Sequence, residues 1–232
     1  MLAFDIETTG LAPGVDEVTC ICACDPEAGL ALTVIPGLTA LEFAELDGVL
    51  PGLGVDPEAV FRALDRADRV CAFNGARFNI PFLCLRYRVP AERAGAWLLK
   101  LVDVYEATYQ AFDRAFGLNA LLRANGFPPK TDSGANAVQM AQRREWRSLA
   151  EYCMADTVKT LQVSGLDSLA LPMRGVPPVR LVGGRFVPTP QPAGEQGAHG
   201  VGHAVGNHHA VPAPAGVSEA LGSRGRGAGA GT

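Results

Sequence analysis

Histidine is scarce in this chain and badly placed for chemistry. The four histidines, His199, His203, His208 and His209, all lie beyond residue 198 of 232. A serine–histidine triad and a histidine general base are therefore excluded from the part of the chain that carries the apolar residues. Cysteine pairing is also missing, because the six cysteines at 20, 22, 24, 71, 84 and 153 include no C-x-x-C spacing. Neither a zinc-ligand set nor a disulfide framework is expected as the organising device. Cys20, Cys22 and Cys24 alternate within "EVTCICACD", so on a strand they point to one face and read as buried, reduced thiols. No long apolar run is present, and "MLAFDIETTG" has no basic stretch ahead of an apolar one. Neither a membrane span nor a secretory signal is expected, and the expected location is intracellular, cytoplasm or nucleus.

Positive charge is short as well. Residues 1 to 164 carry 15 Lys+Arg against 21 Asp+Glu, and the remainder carries 5 against 3, for a net charge of −4. Such a domain does not hold phosphates by bulk charge. A nucleic-acid partner would have to be met through divalent cations and a few local arginines. From residue 165 onward, 23 of 68 residues are Gly or Pro and Phe186 is the only aromatic. This composition offers too little apolar surface to offset ordering entropy, so a disordered tail over 165–232 is expected behind one domain over 1–164.

Within that domain "MLAFDIE", "EVTCICACD" and "LALTVIP" read as three strands of an antiparallel meander. "DPEAVFRALDRAD" has helical spacing, "RVCAF" reads as a buried strand, "IPFLCLRYRV" as a helix and "WLLKLVDVY" as another strand. "GLNALLRAN", "GANAVQMAQR" and "EWRSLAEYCMADTVKTLQV" are helical. The order implies an α/β fold with a mixed sheet and helices on its faces.

The residues able to do chemistry are carboxylates. Asp5 and Glu7 in "FDIET" lie two apart on a strand and share one face. They are either exposed acids at a strand end or a pair bridged by a cation. Tyr152 and Asp156 in "EYCMADT" lie one helical turn apart. Asp103 reads as the cap of a following helix or as a supporting acid. Asp132 reads as a helix cap, and Arg77 as a phosphate-neutralising or simply exposed arginine.

Taken together, "FDIETTGL", "NGARFNIPFL" and "YCMAD" resemble, in order, the three motifs of the DEDD superfamily of 3′–5′ exonucleases. The subgroup is the tyrosine one (DEDDy), and the wording is most similar to the proofreading domain of family B DNA polymerases, here free-standing. The resemblance covers about residues 1 to 164. It implies a ribonuclease-H-like, five-stranded mixed sheet with helices on both faces. It also implies a divalent-metal-dependent exonuclease acting on single-stranded or frayed DNA or RNA 3′ ends. Asp5, Glu7 and Asp156 would hold two Mg²⁺ or Mn²⁺ ions. Asp5, Glu7, Tyr152 and Asp156 would be the catalytic set, with Tyr152 orienting the attacking water. Thr8, Thr9, Leu11, Asn74 and Asn79 would line the substrate site. The departure is Asn79, which stands where the family has its fourth acid. It leaves two readings, an exonuclease of reduced activity and an inactive nucleic-acid-binding or scaffold protein.

Overall fold

The computed structural model describes residues 1–130, 134–182 and 185–188. A six-stranded mixed sheet forms the centre. β1 (Leu2–Thr8), β2 (Val18–Asp25) and β3 (Leu30–Val34) make the expected antiparallel meander. β4 (Leu53–Gly54) adds in parallel to β3, while β5 (Val70–Cys71) and β6 (Leu101–Val102) add in parallel on the far side of β1, giving the order β4-β3-β2-β1-β5-β6. The sixth strand, absent from the sequence expectation, is the two-residue β4. It is drawn to the edge by backbone bonds from Thr33 N–H to the Gly52 carbonyl (3.2 Å) and from Ile35 N–H to the Gly54 carbonyl (3.0 Å). Gly52 has φ +55°, and a Cβ there would lie 2.3 Å from the Ala31 carbonyl oxygen, so only glycine lets this edge close.

The faces of the sheet differ. Leu2, Phe4 and Ile6 of β1 alternate toward one side, where they join a buried cluster with Val60, Phe61 and Leu64 of α2 (Glu58–Arg66) and with Ile80, Phe82 and Leu83 of α3 (Ile80–Tyr87). The other face is covered by α8 (Trp146–Ser164), whose Leu149, Ala150, Tyr152 and Cys153 cluster with Cys20 and Cys22 of β2. Asp5 pairs across the ladder with Cys22, and Glu7 with Cys20, so the carboxylates and thiols are neighbours beneath α8. All six cysteines are free thiols and five of them are buried.

The remaining helices are α1 (Ala40–Leu46), α4 (Ala91–Leu99), α5 (Val104–Phe112), α6 (Leu118–Ala124) and α7 (Gly134–Gln142). The strand expected over "WLLKLVDVY" is largely helix: Trp97 to Leu99 close α4, and only Leu101–Val102 is strand. Periodicity cannot separate the two states over so short an apolar run. The tertiary setting decides it, since Trp97 is fully buried and its indole N–H donates to Asp65 Oδ1 at 2.7 Å. The same Asp65 pairs with Arg93 of α4, which also pairs with Glu58, tying α4 to α2.

Order continues past residue 164, where the sequence suggested a tail. β7 (Val179–Val182) and β8 (Arg185–Pro188) form an antiparallel hairpin. Leu169, Leu171 and Val179 are buried against Val104, Phe116, Leu121, Leu122 and Val163. The Asn125 amide mimics a strand edge here, accepting from Ala170 N–H (2.8 Å) and donating to the Ala170 carbonyl (2.9 Å). Composition concealed this because the three apolar side chains are spread among prolines and glycines. The expectation for 189–232 and the proposed cap Asp132 lie outside the described residues.

This packing makes the boundary testable. A chain ending after Pro188 should melt like the full chain. One ending after Ser164 loses the burial of Leu169, Leu171 and Val179, at roughly 1.5–3 kcal/mol for each side chain, and should melt about 10 °C or more lower by circular dichroism. Equal melting of the two truncations would place the boundary at 164 after all.

Candidate active site

The site is built where β1 passes under α8. Strand alternation sends Asp5 and Glu7 toward the helix, and the 3.6-residue period of α8 sets Tyr152 and Asp156 on the face that looks back at them. One carboxylate oxygen from each of Asp5, Glu7 and Asp156 lies within 4.8 Å of the others. Glu7 and Asp156 are buried and Asp5 is half-buried. Burial, then the charge of Asp156, raises the Asp5 pKa to about 7, with Lys130 and the Asn79 hydrogen bond pulling the other way. Burial, then Asp5 and Asp156, raises Glu7 to about 9, against the pull of Lys130. The metal-free centre therefore holds protons near neutrality. Three hard oxygen donors this close, each penalised for its charge, are the donor set that a divalent cation of the Mg²⁺ or Mn²⁺ class fits.

Asn79 reaches the centre through an unusual piece of backbone. Residues Gly75–Asn79 form a single π-helical turn that runs into α3, with Pro81 in the first turn of that helix. Asn74, at the start of the turn, is left-handed with φ 58°. The turn is held by Asp103, which accepts from the N–H groups of Asn74 (3.0 Å), Ala76 (3.0 Å) and Glu106 (3.2 Å). Asp103 is thus the N-cap of α5 and also the clamp on the segment that delivers Asn79. Burial raises its pKa, with the three N–H donors opposing that rise. At the far end of the turn the Asn79 side chain is buried, and its Nδ2 donates to Asp5 Oδ1 at 3.0 Å.

Lys130 is the member of the site that motif reading missed. Its ammonium pairs with Asp156 Oδ2 and stands 5.2 Å from the Tyr152 ring centroid. Its own backbone N–H is fixed by Asn119 Oδ1 at 2.6 Å. Burial opposes the charge on Lys130, but the pairing with Asp156 outweighs it and the pKa rises. The signal in sequence is faint: a lysine directly after two prolines in "FPPK", 26 positions ahead of its partner. Tyr152 is buried, with a hydroxyl that finds no hydrogen-bond partner in the described structure. Burial raises the phenol pKa, and the neighbouring Lys130 ammonium opposes the rise.

The other expected substrate residues are spread around the end of β1. The Thr8 hydroxyl donates to the Gly10 carbonyl at 2.6 Å, and the Thr9 hydroxyl accepts from Glu17 N–H at 2.9 Å. Both threonines thereby shape the loop that follows β1. On this loop Leu11 stands 83% exposed and Val15 80% exposed. Asn74 is tied to Asp103 through its backbone, and its side-chain oxygen is buried without a partner. Of the five, Asn79 is the one whose side chain hydrogen-bonds to an acid of the centre. Arg77 is engaged elsewhere, in an ion pair with Glu106 and over the Tyr109 ring at 4.3 Å.

The raised carboxyl pKa values set a pH dependence. Asp5 and Glu7 bind protons more tightly in the folded chain than in the unfolded one, where carboxyl groups titrate near 4. Metal-free stability is then fully present below pH ~4 for these two groups and is lost as pH rises toward 7 and 9. The melting temperature of chelator-treated protein should fall over that window, and Asp5→Asn should flatten the slope. The stabilisation by Mn²⁺ should grow over the same window, because the cation replaces the protons. A Mn²⁺ shift that is the same at pH 6 and pH 8 would separate these carboxylates from metal binding.

A family model of the RNase H superfamily matches residues 2–166, the span holding all six strands of the main sheet and α8. No curated protein matches the chain. Among the described residues no helix is long and apolar enough to cross a membrane. The superfamily is one of nucleases and related nucleic-acid proteins, which gives this chain a nucleic-acid-related function. With its mixed sheet, its α8 and its acids at their interface, the chain belongs to the RNase H superfamily.

Proposed function

We propose that the chain is a divalent-metal-dependent 3′–5′ exonuclease of the tyrosine DEDD type, acting on single-stranded or frayed DNA or RNA ends. The observation that supports this most is the convergence of Asp5, Glu7 and Asp156 within 4.8 Å, with the unpartnered Tyr152 hydroxyl one turn from Asp156. The three carboxylates would hold the metal, which when bound supplies an acidified water and stabilises charge on the leaving oxygen. Tyr152 stays a neutral phenol, since burial raises its pKa, so its contribution is to orient a water rather than to take a proton. Leu11 and Val15 offer apolar surface on which the terminal base can stack. Asn79 keeps Asp5 in one orientation but adds no charge, which favours a low rate: one missing electrostatic group in a site commonly costs about 10²–10³.

A second reading has its own support. The Asn79 amide and the Lys130 ammonium satisfy Asp5 and Asp156 without any metal, which suits a protein that binds nucleic acid without cutting it.

End-labelled single-stranded DNA and RNA with Mn²⁺ should separate the two. The wild type should release nucleotides stepwise from the 3′ end, and Asp5→Ala should release none. Tyr152→Phe should lower kcat about 10²-fold with little change in KM. If the wild type is as inert as Asp5→Ala while both retain the labelled strand, the binding reading stands and the exonuclease reading falls.

A further inference from the structure

Three of the six thiols meet in space. Cys20 and Cys22 come from alternate positions of β2 and Cys153 from α8, and the three sulfurs all lie within 4.8 Å of one another. The sulfurs of Cys20 and Cys22 are 3.8 Å apart. All three residues are 0% exposed. The other thiols stand outside this triad: Cys24 and Cys71 share a separate apolar cluster, and Cys84 is half-buried on α3. Sequence spacing hides the triad, because its third member arrives from a distant helix and completes no C-x-x-C pattern.

We propose that Cys20, Cys22 and Cys153 form a binding site for one thiophilic ion of the Zn²⁺ or Cu⁺ class, which staples α8 to β2. The proposal is independent of the reading of the acids as a metal centre. Around an ion with metal–sulfur bonds of ~2.3 Å, thiolates stand ~3.8 Å apart in a tetrahedral site and ~4.0 Å apart in a trigonal one. The triad already has that spacing to within a small movement of side chains. Soft sulfur selects such an ion, whereas the carboxylates of Asp5, Glu7 and Asp156 suit hard cations, so the two neighbouring donor sets take different metals. Little is given up on binding. The Cys22 thiol donates to the Ala150 carbonyl and the Cys153 thiol to the Asp5 carbonyl, each at the long distance of 3.7 Å. An ion would release those protons and replace weak contacts with metal–sulfur bonds. The effect falls on α8, since Cys153 stands between Tyr152 and Asp156 in the chain, and fixing it to β2 fixes the helix that carries both.

Cadmium reads this without any activity, because Cd²⁺ bound to thiolates gives a charge-transfer band in the ultraviolet. Reduced full-length protein is titrated with Cd²⁺ in two ways, as the folded chain and during refolding from denaturant, since a fully buried site fills only when α8 opens. The band should saturate at one ion per chain, Zn²⁺ should displace it, and Mg²⁺ should not. The bound ion should raise the melting temperature. Cys153→Ala should weaken binding at least ~10²-fold, as loss of a ligand costs no less than loss of an outer-shell partner. Cys84→Ala and Asp5→Asn should each bind as the wild type does.

No band in either titration would overturn the proposal and leave the triad as packing alone. Full affinity in Cys153→Ala would place the ion at other thiols, and loss of the band in Asp5→Asn would place it among the acids; either overturns the proposal. Should Cys153→Ala fail to fold, Cys20→Ser decides on the same terms.

Discussion

Three carboxylates forced together between β1 and α8 are the constraint on which the rest of the molecule depends. Like charges within 4.8 Å in a buried setting repel and lose hydration, and their pKa values rise in consequence. A fold that only needed to be stable would place leucines there. Instead, Leu2, Phe4 and Ile6 on the opposite side of the same strand carry the packing. The interface with α8 is filled by small thiols at Cys20, Cys22 and Cys153, which leave room for the acids. β1 thus divides its labour by strict alternation, one face for cohesion and one for chemistry.

Holding that geometry falls to a second acid that never enters the centre. Asp103 ties the start of the π-helical turn to the start of α5, and so fixes the path of the five residues that end at Asn79. π-turns are rare in helices because their hydrogen bonding is less favourable, and they tend to occur where a side chain must be aimed. Here the aim is the Asn79 amide. Loss of Asp103 would leave three backbone donors unsatisfied in a buried place, a larger cost than the loss of an ordinary cap.

The legible parts of the site are those with a local period. Asp5 and Glu7 are two apart on a strand, Tyr152 and Asp156 four apart on a helix, and both spacings put the pair on one face whatever the rest of the chain does. The face of β2 that buries Cys20 and Cys22 was readable for the same reason. Lys130 has no such partner in its own segment, and its relation to Asp156 exists only once tertiary folding sets it over Tyr152. The state of Trp97 was equally hidden, because what makes it helical is Asp65, 32 residues away. The donor role of Asn79 was half visible: the residue was singled out as a missing acid, whereas the structure uses it as a hydrogen-bond donor.

That distinction bears on how an acidic domain could meet nucleic acid. Residues 1 to 164 carry an excess of six negative charges, so long-range attraction to phosphate is not available to them. Arg77, the arginine nearest in sequence to Asn79, is committed to Glu106 and Tyr109. Local positive charge at the centre then comes from Lys130 and from whatever cation the acids hold. On the proposed function a cation held by these acids would meet the phosphate, and the exposed, uncharged Leu11 and Val15 would meet the base. On that reading, recognition of the base and of the phosphate would be separable, the first resting on the loop after β1 and the second on the centre that Asp5, Glu7, Asp156 and Lys130 form.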